Sequence, residues 1–180
     1  MAVPLRLFLL ARHGQSTWNA ERRWQGQGDP PLSAQGRLQA SALAEALAGE
    51  GVEALVSSDL ARAAETADIV ARRLGLSPPR LEPRLRERSL GAWTGRTEAE
   101  IAASWPEELA RLRAGDPELR PGGGESGRQL AQRVRSALRE LAAEPPGRRV
   151  ALVTHLGVIR TLVPGFRPAN AEWCRLEAPG

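Results

Sequence analysis

Lysine and tyrosine are absent from this 180-residue chain, and cysteine and histidine nearly so. Cys174 stands alone, and the only histidines are His13 and His155. One cysteine excludes an internal disulfide framework and suits a reducing cytoplasm, the expected location. No His-x-x-His or Cys-x-x-Cys pair occurs, so neither a metal nor another cofactor is expected. There is no Gly-x-Ser-x-Gly elbow for a serine hydrolase, and no Gly-Lys follows the glycines at 122–124, which excludes a Walker loop. No apolar stretch is long enough to span a membrane, and Leu5–Ala11 is too short for a secretory leader before it meets Arg12-His13. The 25 basic residues, all arginine, leave a net charge of only +4 against 21 acids. The arginine pairs (Arg22-Arg23, Arg72-Arg73, Arg148-Arg149) are scattered, without the basic block or basic–aromatic alternation of a nucleic-acid module.

What is present is ordinary for one globular domain over 1–180: 42% hydrophobic and 26% charged residues. Apolar runs alternate with helical periods. Leu5–Ala11, Val52–Ser57, a short piece within Pro78–Pro83, Val150–Thr154 and Glu172–Glu177 read as strands, the last closing an edge. Ser33 caps a helix to about Ala48 with a stripe of Leu38, Ala42, Leu43, Ala46 and Leu47. Ser57-Ser58-Asp59 caps a second, Leu60–Leu74, buried through Leu60, Ala63, Ala67, Val70 and Leu74. Thr97 with Glu100, and Ser126 with Gln129, form capping boxes. The first opens a short helix that Pro106 interrupts; the second opens a helix to about Ala143 that buries Leu130, Val134, Ala137, Leu138 and Leu141. Another helix starts near Gly157. Arg12–Pro31 reads as a long loop ordered by Trp18 and Trp24, Leu85–Gly95 as an ordered loop, and Pro121–Ser126 as a flexible one. The alternation predicts a three-layer α/β/α sandwich with a mostly parallel central sheet and an antiparallel edge strand.

Both histidines sit where an apolar run ends, in Arg12-His13-Gly14 and Thr154-His155-Leu156-Gly157. In open α/β sheets ligands bind outside the carboxyl ends of the strands. A buried strand followed by an ordinary polar turn explains either site alone; two strands delivering the only two imidazoles to one edge do not read as packing. Imidazole as nucleophile with arginine as anion clamp suits phosphoryl transfer. The histidine splits one displacement into two, and the guanidinium fork binds two phosphate oxygens together. Nearby arginines keep the imidazole neutral, and a carboxyl group must protonate the leaving alkoxide.

The blocks Leu10–Asn19, Arg23-Trp24-Gln25-Gly26 and Asp29–Ser33 resemble the histidine phosphatase (phosphoglycerate mutase-like) superfamily. So do Ser57–Ala67, Leu85-Arg86-Glu87, Gly123–Ser126 and Val153–Arg160, in the family's order. The resemblance covers roughly residues 5 to 163. It implies that His13 accepts the phosphoryl group, that Arg12, Arg62 and His155 complete the phosphate pocket, and that Asn19 also touches the phosphate. Glu87 matches the proton donor, and Gln25 and Gly26 match the pocket mouth, where substrate contact is expected. Two other readings stay open: Asn19 as a loop-stabilising amide, and Glu87 as the surface partner of Arg86 or Arg88. Trp18, Trp24 and Trp93 read as loop packing rather than substrate platforms.

Leu156 departs from the family's usual glycine and puts a side chain at the pocket mouth. Leu90 stands where the cofactor-dependent mutases carry tyrosine, and the stretch between Glu87 and His155 is shorter than theirs. The resemblance therefore implies the small-phosphatase branch that includes α-ribazole phosphatase: a phosphomonoesterase hydrolysing a small phosphorylated metabolite through a phosphohistidine. The alternative is a cofactor-dependent phosphoglycerate mutase, for which Arg96, Arg111, Arg113 and Arg120 are the arginines available to hold a second anion. The expected partner is a small-molecule phosphomonoester, with no nucleic acid and no membrane; a homodimer is compatible with the sequence.

Overall fold

A computed structural model describes residues 6–144 and 149–178. Leu5, expected in the first strand, and Arg148 lie outside them. In chain order the elements are β1 (Arg6–Arg12), α1 (Thr17–Ala20), α2 (Ala34–Leu47), β2 (Ala54–Ser57), α3 (Ala61–Leu74) and β3 (Arg80–Leu81). There follow α4 (Glu98–Ser104), α5 (Pro106–Arg113), α6 (Gly127–Ala142), β4 (Val150–Thr154), α7 (Leu156–Leu162) and β5 (Trp173–Ala178). The five-stranded sheet has the order β3-β2-β4-β1-β5. All pairings are parallel except that of β5 with β1.

Strand alternation sorts the core into two layers. Leu9, Ala11, Leu55, Ala151 and Val153 face Leu43 and Leu47 of α2 and Ala63, Ala67 and Val70 of α3. Phe8, Leu10, Val56, Leu152 and Val150 face Ala137, Leu138 and Leu141 of α6 and Ile159 of α7. Covered on both faces, β1 reads as an unbroken apolar run. The chain leaves β1 for the α2 side and β4 for the α7 side. Between those neighbouring strands lies the point where connections diverge to opposite faces, the usual place for a ligand crevice. Among the described residues no helix is long and apolar enough to cross a membrane.

Helix α6 buries the five residues expected of it, and both capping boxes are present. Elsewhere the sequence reading needs correction. On α2 the buried face is Gly36, Ala40, Leu43, Ala44 and Leu47, and Leu38 is 65% exposed. With five alanines on α2, the apolar stripe can be drawn on either of two faces. On α3, Arg62 and Thr66 join the buried side, while Leu74 is only half-buried. Its N-cap, Leu60, offers no side-chain bond; Asp29, from the loop between α1 and α2, instead accepts from the Ala61 amide at 2.6 Å. Pro106 does not simply interrupt a helix. It occupies the first turn of α5, where its missing N–H costs nothing. Pro121–Gly123 form a 3-10 turn packed on residues 89–92, with Gly122 N donating to Glu108 at 3.0 Å. The loop after β1 holds the single turn α1, capped by a Ser16–Asn19 box.

A second, smaller apolar cluster stands apart from the sheet. Leu90, Trp93, Ile101 and Leu109 are buried in it, with Trp24, Trp105 and Leu112 packed around them. Trp24 meets Trp93 edge-on at 5.7 Å between ring centroids. Segments 89–95, 98–113 and 121–124 thus form a cap over one end of the sheet.

Candidate active site

Parallel pairing aligns Arg12 with Thr154, so the next residue on each strand is a histidine. The rings of His13 and His155 lie with centroids 5.1 Å apart. Both are buried, His13 being 3% exposed. Two contacts fix the His13 tautomer. Nδ1 is 2.6 Å from the Gly14 carbonyl, which can only accept, so Nδ1 carries the hydrogen. Arg62 Nε donates to Nε2 at 3.3 Å, so Nε2 presents a lone pair. Burial, then the Arg62 charge, then that of Arg12 hold His13 well below the usual imidazole range, with the Gly14 bond opposing. The ring is a neutral base at neutral pH.

Arg62 is fully buried at the start of α3. Desolvation lowers its pKa to about 10, opposed by the charges of Glu87 and Asp29, so it stays cationic at neutral pH. Its other donors reach the carbonyls of Gly28 (2.7 Å) and Gly26 (2.8 Å). Gly26 has φ +50°, and a Cβ there would lie 3.0 Å from Leu90 Cγ, so only glycine fits this turn. Thr66, one turn along α3, donates to the Arg62 carbonyl and accepts from the Gly14 amide. That tie joins Arg62 to the loop that follows His13.

Arg12 donates through Nη1 to the Pro168 carbonyl at 2.9 Å, while its Nε is buried without a partner. His155 Nε2 lies 2.8 Å from Ser58 Oγ, and its Nδ1 is likewise buried and unpartnered. Buried polar atoms are nearly always paired; of the three unpartnered ones among the described residues, these two belong to residues beside His13 and the third is Trp93 Nε1 in the cap. Burial and then Arg62 lower the His155 pKa well below the ordinary value.

Glu87 is not held by the side chains of its neighbours. Arg86 forks onto Asp59 (2.7 and 2.6 Å), and Arg88 donates to the Glu125 and Leu119 carbonyls. The Glu87 carboxylate accepts instead from two amides, Arg88 N at 2.7 Å and Gly157 N at 3.0 Å. A Cβ on residue 157 would collide with Glu87 Oε1; Gly157 is the seat of that carboxylate.

Arg12, His13, Asn19, Gln25, Gly26, Arg62 and Glu87 all line one cavity of about 1260 Å³. His155 lies behind it, against His13. Asn19 fulfils the loop reading through Oδ1, which accepts from Ser16 and Asn170, and it still borders the cavity. Gln25 accepts from Ser16 Oγ at 2.6 Å. Leu90 and Leu156 line the wall, as expected. Arg96, Arg111, Arg113 and Arg120 do not. Arg111 pairs with Asp116 at 2.7 Å, Arg113 pairs with Glu98, and Arg120 donates to the Gly124 carbonyl at 2.7 Å. Arg22, Arg23, Arg88 and Arg160 line the cavity in their place. Trp93 is wholly buried packing, and Trp18 packs against Gly28 and Gly95; Trp24 packs and also borders the cavity.

Ser58, Thr66, Asp29 and Gly157 support the site without having been assigned a part in it. Ser58, Thr66 and Gly157 lie inside the blocks that carry Arg62 and His155, which was the available signal. Asp29 likewise opens the block Asp29–Ser33, but its capping role left no mark because the helix it caps begins 32 positions later.

A cavity offering a neutral imidazole, a buried guanidinium and a carboxylate is built for phosphoryl chemistry. Comparison with known proteins agrees: the histidine phosphatase superfamily (branch 1) model matches residues 8–176, and the chain belongs to that family. It is 39% identical over 163 residues to Phosphoglycerate mutase-like protein 4 of Arabidopsis thaliana, covering 89% of this chain and 71% of the relative. It is 38% identical over 169 residues to a probable phosphoglycerate mutase GpmB of Cronobacter sakazakii, covering 91% and 76%. Among solved structures it resembles a mycobacterial glucosyl-3-phosphoglycerate phosphatase complexed with VO3 (TM-score 0.87, 40% identity, 96% and 92% of the two chains). It also resembles a putative alpha-ribazole-5'-P phosphatase of Escherichia coli (TM-score 0.83, 26% identity, 96% and 90%).

Proposed function

We propose that this protein is a phosphomonoesterase that passes the phosphoryl group of a small metabolite through His13 to water. The observation that carries this reading is the His13 ring: neutral, with Nδ1 tied to Gly14 and the Nε2 lone pair turned to the Arg62 guanidinium. A substrate phosphate drawn to Arg62 and Arg12 brings its phosphorus to Nε2. The N–P bond forms as the ester P–O bond breaks, and the departing alkoxide takes the proton of the Glu87 carboxyl. Charge building on the equatorial oxygens meets Arg62, Arg12 and the unpartnered His155 Nδ1. Glu87, now a carboxylate, then takes a proton from water, whose oxygen attacks phosphorus. The N–P bond breaks, and phosphate leaves with His13 restored.

The cavity exceeds the roughly 300–1,000 Å³ of common small-molecule sites, so the alcohol part of the substrate has room to be sizeable. Several relatives are named as probable phosphoglycerate mutases, which supports transfer to a retained hydroxyl as the second reading. Against it stand Leu90 and Leu156, hydrocarbon where a mutase would want to hold a second anion; Arg22, Arg23, Arg88 and Arg160 are the arginines on the wall that such an anion would have to use. The test supplies 3-phosphoglycerate with a trace of 2,3-bisphosphoglycerate and follows isomer and free phosphate together, beside a chromogenic phosphomonoester without primer. Hydrolysis of the ester, with phosphate release faster than isomerisation, is expected. Isomerisation faster by about tenfold or more, some 1.4 kcal/mol of barrier, would put the mutase first.

A further inference from the structure

The most completely bonded arginine in this region touches neither the cavity nor a predicted site residue's side chain. Arg133 lies in the middle of α6, 20% exposed, against Glu125, 14% exposed. Nε and one terminal nitrogen fork onto the Glu125 carboxylate at 2.7 and 2.8 Å. The remaining donors reach three successive points of the segment that carries Glu87: the carbonyls of Arg84 (2.7 Å), Arg86 (2.7 Å) and Glu87 itself (2.9 Å). A guanidinium has five N–H groups, and here each has an acceptor. Glu125 repeats the grip from its own side. Its amide donates to the Ser89 carbonyl at 2.9 Å, its carboxylate accepts from the Ser89 amide at 3.3 Å, and its carbonyl accepts from Arg88 Nε at 2.8 Å.

Glu87 is therefore held at both ends, by Gly157 at the carboxylate and by Arg133 at the backbone from which it projects. Residues 86–89 form no regular helix or strand, so no ladder of their own fixes that backbone. Only a planar fork can meet a carboxylate and three divergent carbonyls together; an ammonium cannot.

We infer that the Arg133–Glu125 pair is the positioning device for the proton donor, acting on leaving-group protonation without touching the substrate. This rests on the reading of Glu87 as that donor. A proton donor must sit within hydrogen-bond reach of the leaving oxygen, and displacement by an ångström costs about a hundredfold. The nucleophile and clamp, on β1 and α3, are anchored elsewhere and keep their geometry. Loss of the pair should thus resemble partial loss of Glu87.

The test compares Arg133→Lys and Glu125→Gln with wild type in kcat/KM, which reports steps through release of the alcohol, on an alkyl phosphate and on nitrophenyl phosphate. Thermal midpoints are recorded in parallel. For Arg133→Lys the alkyl ester should lose about 10- to 100-fold, while the nitrophenyl ester, whose phenolate leaves without a proton, loses less than about threefold. Glu125→Gln, which keeps the shape and weakens the grip, should show the same selectivity at smaller size. In a Glu87→Gln background, Arg133→Lys should cost the alkyl ester nothing further. Equal losses on both esters, or full additivity with Glu87→Gln, overturn the positioning role while leaving the phosphatase reading intact. Retained alkyl-ester activity in both variants overturns it too. A wild-type protein that hydrolyses neither ester overturns the phosphatase reading, and this inference with it.

Discussion

The sheet core and the cap are packed as different kinds of object. Around the sheet, two apolar layers clamp strands that end in His13 and His155, and Arg62 starts a helix pressed on the same strands. The cap is a small tryptophan-centred cluster on short turns, with Trp93 at its middle. His13, His155 and Arg62 hang from the first unit; the second contributes Leu90, Glu98, Ala99 and Leu112 to the cavity wall. Phosphoryl chemistry needs atoms held to fractions of an ångström, which parallel strands supply. Recognition of the alcohol needs only a wall whose side chains can differ. Glu87 lies on the seam, just before the cap begins, and is fixed from the sheet side by Gly157 and Arg133.

If that division is real, substitutions on the sheet side should remove chemistry and those in the cap should alter stability and selectivity. His13→Ala carries the largest effect. Turnover should fall by on the order of 10⁴–10⁶, and no acid-labile phosphoenzyme should be trapped by alkaline quenching. A label surviving the substitution would falsify the nucleophile assignment. Glu87→Gln should slow an alkyl phosphate by roughly 10²–10⁴ and a nitrophenyl ester far less in kcat/KM; equal losses remove Glu87 from proton donation.

Trp93→Ala probes the other unit. Truncating a buried tryptophan costs roughly 3–5 kcal/mol. Amide exchange should accelerate across residues 89–113 while Leu9–Ala11 and Ala151–Val153 stay protected. Acceleration spread evenly over both units would mean one cooperative core.

The smallest effect separates the units by pH. His13 and His155 both titrate below the ordinary histidine value of 6.5 when folded. Below that value the unfolded chain binds protons that the native one refuses, so stability is full above it and declines as pH falls. The urea midpoint should drop between about pH 7 and pH 5, and more gently in His155→Gln. A midpoint flat over that range would show that the imidazoles are not buried neutral.

The sheet side was also the more legible in sequence. An apolar run ending in a histidine marks a buried strand and its exit, and two such runs announced β1, β4 and the site between them. Helix α6 has a single apolar stripe, so its face could be read. Alanine-rich α2 has two, and the one that includes Leu38 turns partly to solvent. The cap was poorly legible because its order comes from contacts across sequence: the glycine turn at 121–123 packs on residues 89–92, and α5 starts at a proline that reads as a stop. Arg133 was invisible for a related reason. An arginine on an amphipathic helix reads as solvated surface until the carbonyls it gathers are brought to it. Arg96, Arg111, Arg113 and Arg120 are the arginines the sequence offers for a second anion, but three of them are taken up by Asp116, Glu98 and the Gly124 carbonyl.

Asp29 and Arg62 together have a consequence for how this scaffold can be modified. Between them they pin both ends of the short segment Gly26–Asp29: Arg62 holds the carbonyls of Gly26 and Gly28, and Asp29 grips the first amide of α3. An insertion there would pull the guanidinium off His13. The turn at 114–117 carries no such tether to His13, whereas the Leu119 carbonyl just beyond it holds Arg88 beside Glu87, so grafts that stop short of Leu119 can retune what the cavity admits without re-engineering the reaction.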